Sequence, residues 1–314
     1  MIKSLAKNLP HPLLLRLHHH YDLRRQSALA HTVSQLTGLP LLETLDFSRV
    51  KSSDTAFVLG GGWSINEISE QRWQTIGRHD TIALNFWPVH PFVPRIYLFE
   101  NLCHTESYEL MFNALQGLLD ERADAYHNVA KVITEVQPLG PRQLVLETPE
   151  RFRRNLYIGY STGVVARSEK ELQAGLRYLG RRGVFAPRDR IAWQFKYGSS
   201  VIAAMSLAAS MNYRRIVLCG IDMGKADYFY HHPERYPKAC KWEFRPRTQA
   251  QITTLQLEWR LPAQNAIHLF KREVLDPAHI ELFVENRSSG LFPQVPEVPQ
   301  QLFEELPKAH PGAR

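Results

Sequence analysis

Thr55-Ala56-Phe57-Val58-Leu59-Gly60-Gly61-Gly62-Trp63-Ser64 is the stretch whose reading decides the fold. Its opening run is apolar and β-prone, which predicts a short buried strand, and the glycines then end it. Ser64 is followed three residues later by Glu67, a capping-box spacing that predicts a helix starting at Ser64. Further strands are expected at Thr81-Ile82-Ala83-Leu84, ending at Asn85, and at Arg95-Ile96-Tyr97-Leu98-Phe99, ending at Glu100-Asn101. Others are expected at Val129 to Ile133, at Arg215-Ile216-Val217-Leu218-Cys219 before Gly220-Ile221-Asp222, and at Ile267-His268-Leu269-Phe270. Strands alternating with helical stretches predict an α/β chain with a doubly wound, mainly parallel, Rossmann-like sheet. Ligands of such sheets bind beyond the carboxyl ends of the strands, where Gly60, Asn85 and Asn101 fall.

Residues 1–50 read as a basic, amphipathic, helical N-terminal arm. Leu13, Leu14, Leu15 and Leu17 mix there with Arg16, Arg24, Arg25 and a run of histidines, His18 to His20. Such an arm suits attachment to an anionic membrane surface, or equally a helix packed on the core with a solvated basic face. Consecutive histidines cannot share one helix face, so a metal site is not expected from them. The main domain is expected over 51–295. Within it, 139–190 reads as an insertion or lid with a helix near Ser168 to Leu179. The run Ser199 to Ala209 is apolar on nearly every side, which predicts a buried helix. A helix is expected around Gln249 to Arg260, and 296–314 reads as a peripheral Pro-rich tail.

The chain has 314 residues, 44% of them hydrophobic and 22% charged, with a formal charge of +7. That composition is globular, and the surplus positive charge favours anionic partners such as nucleotides, phosphorylated glycans or an acidic membrane face, or serves solubility alone. Nucleic acid is not an expected partner, because the charge is dispersed and no recognised module appears. Cys103, Cys219 and Cys240 form no metal-binding or disulfide pattern and fit a reducing compartment. No run approaches the ~18 apolar residues of a membrane span, and no secretory signal is expected. The predicted location is cytoplasmic, with peripheral contact at the inner face of the membrane.

The residues with chemical potential gather at the expected strand ends. Gly60, Gly61, Gly62 and Ser64 form a turn that lets backbone approach a phosphate at a helix N-terminus, or simply a tight turn; it has neither Walker A nor GxGxxG spacing. Asn85 and Asn101 are polar groups on the same rim. Ser199 and Ser200 precede the buried helix and can hold an anion or act as an ordinary N-cap. Asp222 can orient a ligand or cap a turn. Tyr228, Tyr230, His231 and His232 make the most reactive segment: a histidine near neutrality can deprotonate an acceptor hydroxyl, and tyrosine hydroxyls can donate to a departing phosphate.

In their order these motifs resemble the bacterial CMP-sialic acid sialyltransferases that include the Campylobacter lipooligosaccharide enzymes, and are similar to the third-Kdo transferases of lipopolysaccharide core assembly. The likeness rests on Phe57 to Ile65, on Leu84-Asn85-Phe86-Trp87, and on Ser199-Ser200 through Asn212-Tyr213 to Leu218-Cys219-Gly220-Ile221-Asp222. It spans roughly residues 54 to 285. The resemblance implies inverting, metal-independent transfer of an acidic sugar, Kdo or sialic acid in type, from a CMP-sugar to a glycolipid or oligosaccharide acceptor. It implies no cofactor beyond that donor, which would be held by the Gly-rich turn, Asn85 and Ser199-Ser200. Tyr230 lies where the family places a tyrosine on the leaving phosphate. The chain departs from the pattern in three places. Gly61 and Trp63 replace the Asn and Pro of a Gly-Asn-Gly-Pro-Ser turn. The second leaving-group tyrosine maps near Gly224, with Tyr228 as its substitute. The base histidine maps near Pro246, so His231 or His232 replaces it or the chemistry differs. Two other readings stand beside this one: an ATP- and Mg²⁺-dependent pyrophosphokinase of related fold, and a catalytically inactive glycan-assembly protein. A homo-oligomer is compatible with each.

Overall fold

In a computed structural model, residues 11–103, 109–135, 142–223, 227–242 and 260–304 are described. The architecture is α/β, with a seven-stranded parallel sheet and helices flanking it. Strands β1 (Thr55–Leu59), β2 (Asp80–Leu84), β3 (Ile96–Glu100), β4 (Ala130–Thr134) and β5 (Leu156–Ile158) run outward in sequence order. Strands β8 (Arg215–Cys219) and β9 (Glu281–Val284) extend the sheet on the other side of β1, giving the order β5-β4-β3-β2-β1-β8-β9. Every pairing is parallel.

The strand residues are apolar on both faces because both faces are covered. Along β1, Ala56 and Val58 enter one core while Phe57 and Leu59 enter the other. The first core takes in the buried helix α6 (Ser200–Ser210), together with α5 (Glu169–Arg181) and α7 (Ala263–Phe270). The second takes in α3 (Glu109–Glu121). This two-sided burial is the doubly wound arrangement expected from the sequence. It sets a switch point between β1 and β8, where strand order reverses; ligands of such sheets bind at the carboxyl ends there.

Several local expectations need correction. Ile267 to Phe270 is not a strand but the end of α7: Ala263, Ala266, Ile267 and Phe270 are buried at helical spacing, and the last strand among the described residues is β9. Ser64 does not begin an α-helix. Trp63–Glu67 is a 3-10 turn, and α2 (Glu70–Ile76) begins after Ser69, whose hydroxyl accepts from the Arg72 amide.

The segment expected as a lid supplies an integral edge of the fold. The short helix α4 (Leu144–Glu147) precedes β5, which pairs with β4, and β6 (Tyr160–Thr162) forms a second, two-stranded parallel sheet with β7 (Trp193–Phe195). Between them lies α5, where the sequence predicts a helix; it begins after Ser168, whose hydroxyl accepts from the Glu171 amide. The expected tail is docked as far as it is described. Val298 and Leu302 are buried, and α8 (Gln300–Glu304) packs on α2. The helix expected around Gln249 to Arg260 lies outside the described residues except for Arg260.

The N-terminal helix α1 (His11–Thr37) packs on the main body through Leu15, Ala30 and Val33. His19 is buried against Tyr178 and Trp193, with ring centroids 5.9 Å away in each case. Burial holds it below the ordinary histidine pKa. His20 points to solvent, so the histidine run is split between faces.

Candidate functional site

The Gly-rich turn and the Gly220-Ile221-Asp222 turn meet at the switch point, and they meet each other closely. The Gly60 amide donates to the Cys219 carbonyl, and the Gly62 amide to the Gly220 carbonyl, each at 2.8 Å. A Cβ at Gly60 would lie 2.2 Å from Ile221 Cδ1, and one at Gly62 would lie 2.6 Å from an Asp222 carboxylate oxygen. Gly220 has φ of +65°, and a Cβ there would lie 2.5 Å from Ile65. Glycine is therefore required by the contact of two chain segments with each other.

Asp222 is 6% exposed. Its carboxylate accepts from the Ser64 amide at 3.0 Å and from the Ser64 hydroxyl. The amide expected to meet a ligand phosphate thus already holds an internal anion, and Gly60, Gly62, Ser64 and Asp222 act as one locked junction.

Tyr228 to His232 folds over this junction. Tyr228 bridges to Gly62 and its ring lies against Gly61, while the Phe229 amide donates to the Gly61 carbonyl at 2.9 Å. Tyr228 is 40% exposed and stacks on Tyr230, which is buried with its phenol pKa pushed well up by desolvation. His231 Nδ1 lies 3.3 Å from the Tyr228 amide and 3.5 Å from Asp227 Oδ1. An amide donating to Nδ1 requires the ring proton on Nε2. A turn towards Asp227 places the proton on Nδ1 and leaves Nε2 as the basic nitrogen. The His232 ring stacks on Trp63 at 5.6 Å, and its buried Nδ1 has no hydrogen-bond partner among the described residues.

A second polar cluster lies beside the first, at the carboxyl ends of β2, β3 and β4. Asn85 has a left-handed backbone (φ 49°), which asparagine tolerates better than most residues. Its carbonyl accepts from the Tyr97 hydroxyl. Its side-chain amide donates to Ser200 Oγ at 3.1 Å, and Ser200 Oγ in turn donates to Glu100. Lys196 lies 3.0 Å from Glu100 and 3.3 Å from Glu135. Desolvation pushes the Glu100 carboxyl up, but Lys196 and the Ser200 hydroxyl outweigh it and hold the group below its ordinary value. Desolvation likewise pulls Lys196 down, and the two glutamates outweigh it to hold the ammonium charged. Asn85, Leu98, Phe99, Glu100, Thr134, Lys196, Ser200 and Ala203 line a recess here too narrow to admit a water molecule, so a ligand would lie over these groups rather than sink between them. Phe86, next to Asn85, lies 6.1 Å from the Tyr230 ring, which joins the two clusters into one rim.

Ser199 occupies the N-cap position of α6 without capping it, and its buried Oγ finds no partner among the described residues. Asn101 differs from the other expected residues. It is 3% exposed, its amide donates to Gln143 Oε1 at 2.8 Å, and its side-chain oxygen accepts from the Val145 amide at 3.0 Å. Its hydrogen bonds pin residues 143–145 to the sheet, so it does not face the recess as a ligand group. Glu100, Glu135 and Lys196 were missed in the sequence. Their signal is positional: each glutamate stands at a strand's carboxyl end.

Among the described residues, no group of three or more His, Cys, Asp or Glu side chains is placed to hold a metal ion. No helix there is long and apolar enough to cross a membrane. Comparison with family models, curated proteins and solved structures returns no match.

Proposed function

We propose that this chain is a nucleotide-sugar glycosyltransferase that binds the nucleoside end of a CMP-sugar at the Asn85–Ser200–Glu100 cluster. The observation that carries the reading is the hydrogen-bond chain from Asn85 through Ser200 to Glu100, next to the switch point of a parallel sheet. A carboxylate and an amide at such a place suit ribose hydroxyls and the exocyclic amine of a base better than they suit phosphate. The phosphate and sugar would then extend towards Tyr228, whose exposed ring stands over Gly61.

Transfer would form a bond from an acceptor hydroxyl oxygen to the anomeric carbon of the sugar. The bond from that carbon to the phosphate oxygen breaks, and CMP departs with the electron pair. The hydroxyl proton would pass to His231 Nε2 once Nδ1 turns from the Tyr228 amide to Asp227, or to His232. The acidic sugar and the lipopolysaccharide or other cell-surface glycan acceptor follow from the family resemblance.

A second reading, a binding protein without turnover, is favoured by one specific feature. Ser64, through its amide and hydroxyl, and Ser200, through its hydroxyl, already face the chain's own carboxylates, Asp222 and Glu100. Release of CMP from CMP-Kdo and CMP-sialic acid, followed by phosphorus NMR, separates the two. Enzyme-dependent release lost in His231→Ala/His232→Ala supports transfer, whereas donor binding without release supports the second reading.

A further inference from the structure

The outward face of α1 is not explained by packing. Leu13, Leu17 and Tyr21, spaced by four, are 43%, 53% and 66% exposed. Arg16, His20 and Arg24 are exposed beside them at the same spacing. Among the described residues of this helix the only acid is Asp22, and it is half-buried near Arg25. The helix therefore carries two apolar surfaces: an inner one of Leu15, Ala30 and Val33, and an outer one mixed with cations.

Across from that outer face stands a second wall from distant sequence. Arg16, Leu17, His20 and Leu23 line a groove of about 490 Å³ with Arg182, Arg188, Tyr178 and Trp193, and no carboxylate lines it among the described residues. Arg182 lies 5.7 Å from the Tyr178 ring centroid, holding a cation at the groove margin.

We infer that this α1–α5 face docks on the surface of an anionic phospholipid bilayer. Leucine and tyrosine side chains enter the boundary between headgroups and acyl chains, while Arg16, Arg24, Arg182 and Arg188 meet lipid phosphates. Charge complementarity selects the occupant, since the three groove arginines, with no acid lining the groove among the described residues, repel a basic surface, gain nothing from a neutral one and are attracted to a phosphate-rich one. The face is also close to the proposed site. Trp193 lines the groove, and Lys196 of the polar cluster follows three residues later, roughly 10 Å of extended chain. The inference stands independently of nucleotide binding.

The test is co-sedimentation of the full chain, without nucleotide, with phosphatidylcholine vesicles and with vesicles carrying about 30 mol% phosphatidylglycerol. The expected result is binding to the anionic vesicles alone, weakened by salt. Loss of each arginine should weaken binding roughly fivefold, so Arg16→Glu/Arg182→Glu/Arg188→Glu should lose about a hundredfold or more. Arg16→Glu/Arg24→Glu alters only exposed helix positions and serves as the second variant, with helicity checked by circular dichroism. Leu17→Ser/Tyr21→Ser should also weaken binding. Absence of vesicle binding, equal binding to neutral vesicles, or unchanged binding of the folded charge variants would overturn the inference. None of these outcomes bears on CMP binding, which is measured without lipid.

Discussion

Ser64 gives both its backbone amide, at 3.0 Å, and its hydroxyl to the carboxylate of Asp222, 158 positions away. This pair closes the junction between the turns after β1 and β8. It converts a sequence that looks like a phosphate cradle into a structural lock.

The lock makes a prediction about Asp222→Asn. An amide can accept only through its single oxygen, so one Ser64 donor loses its acceptor and the other keeps only a neutral one. The expected cost is about 1–3 kcal/mol of stability, read by urea unfolding. CMP affinity should stay within about twofold in the folded fraction. A gain in affinity for inorganic phosphate would show instead that the turn is an anion site which Asp222 blocks.

The three glycines should respond unequally to alanine. Gly60→Ala and Gly62→Ala drive a methyl into Ile221 and into the Asp222 carboxylate, at 2.2 and 2.6 Å. Each should cost roughly 1–3 kcal/mol or more, as overpacking does. Gly61→Ala meets only the Tyr228 ring, at 3.2 Å, and that half-exposed side chain can move. Thermal melts of the three variants should therefore rank Gly61→Ala clearly the most stable.

His90 predicts a pH effect. It is buried among Trp73, Trp87 and Phe229, its Nδ1 accepts from the Phe92 amide at 3.1 Å, and burial drives its pKa down to about 3. The unfolded chain takes up this proton near pH 6.5 and the folded chain only near pH 3. The contribution of neutral His90 is thus complete above pH 6.5 and is lost as pH falls towards 3, with a slope of up to about 1.4 kcal/mol per pH unit. In His90→Asn, which keeps an acceptor for the Phe92 amide, the difference from wild type in unfolding free energy should shrink between pH 6 and 4 ~as that slope requires.

Lys196 tests the polar cluster. Lys196→Met leaves Glu100 and Glu135, 33% and 34% exposed, without their shared cation. Because both keep contact with water, the expected loss is on the order of 1–2 kcal/mol, below that of a wholly buried pair. Glu100 should then titrate at a higher pH than in wild type, a shift readable by carboxyl carbon NMR. An unchanged Glu100 titration would contradict the pairing.

Much of the fold was legible because the strands of a covered parallel sheet are short apolar runs bounded by polar or glycine residues. β1, β2, β3, β4 and β8 are of this kind. The misreading of Ile267 to Phe270 came from taking four apolar residues alone, although Ala263 and Ala266 complete a helical period with them. β9 escaped notice because Glu281 leads it and a Pro-Ala-His sequence precedes it, yet Leu282, Phe283 and Val284 are buried strand residues. β5 and β7 span only three residues each, and their pairing depends on distant segments rather than on local pattern.

The site was legible in part for a similar reason. Asn85, Ser200 and the Tyr228 to His232 segment were visible as polar residues at element ends. Lys196 and Glu135 look like ordinary surface charges until the fold brings them within 3.3 Å. Nothing local in Gly60 to Ser64 could reveal that its partner would be Asp222 rather than a ligand.

The central claim is that a cytidine nucleotide binds at Asn85 and Ser200. Calorimetric titration of the full chain with CMP, with and without Mg²⁺, on wild type and on Asn85→Ala and Ser200→Ala tests it most directly. The account predicts Mg²⁺-independent CMP binding that exceeds binding of UDP, GDP and ATP and that falls by about tenfold or more in each variant. Mg²⁺-dependent ATP binding in preference to CMP, no nucleotide binding, or CMP affinity unchanged in both variants would contradict it.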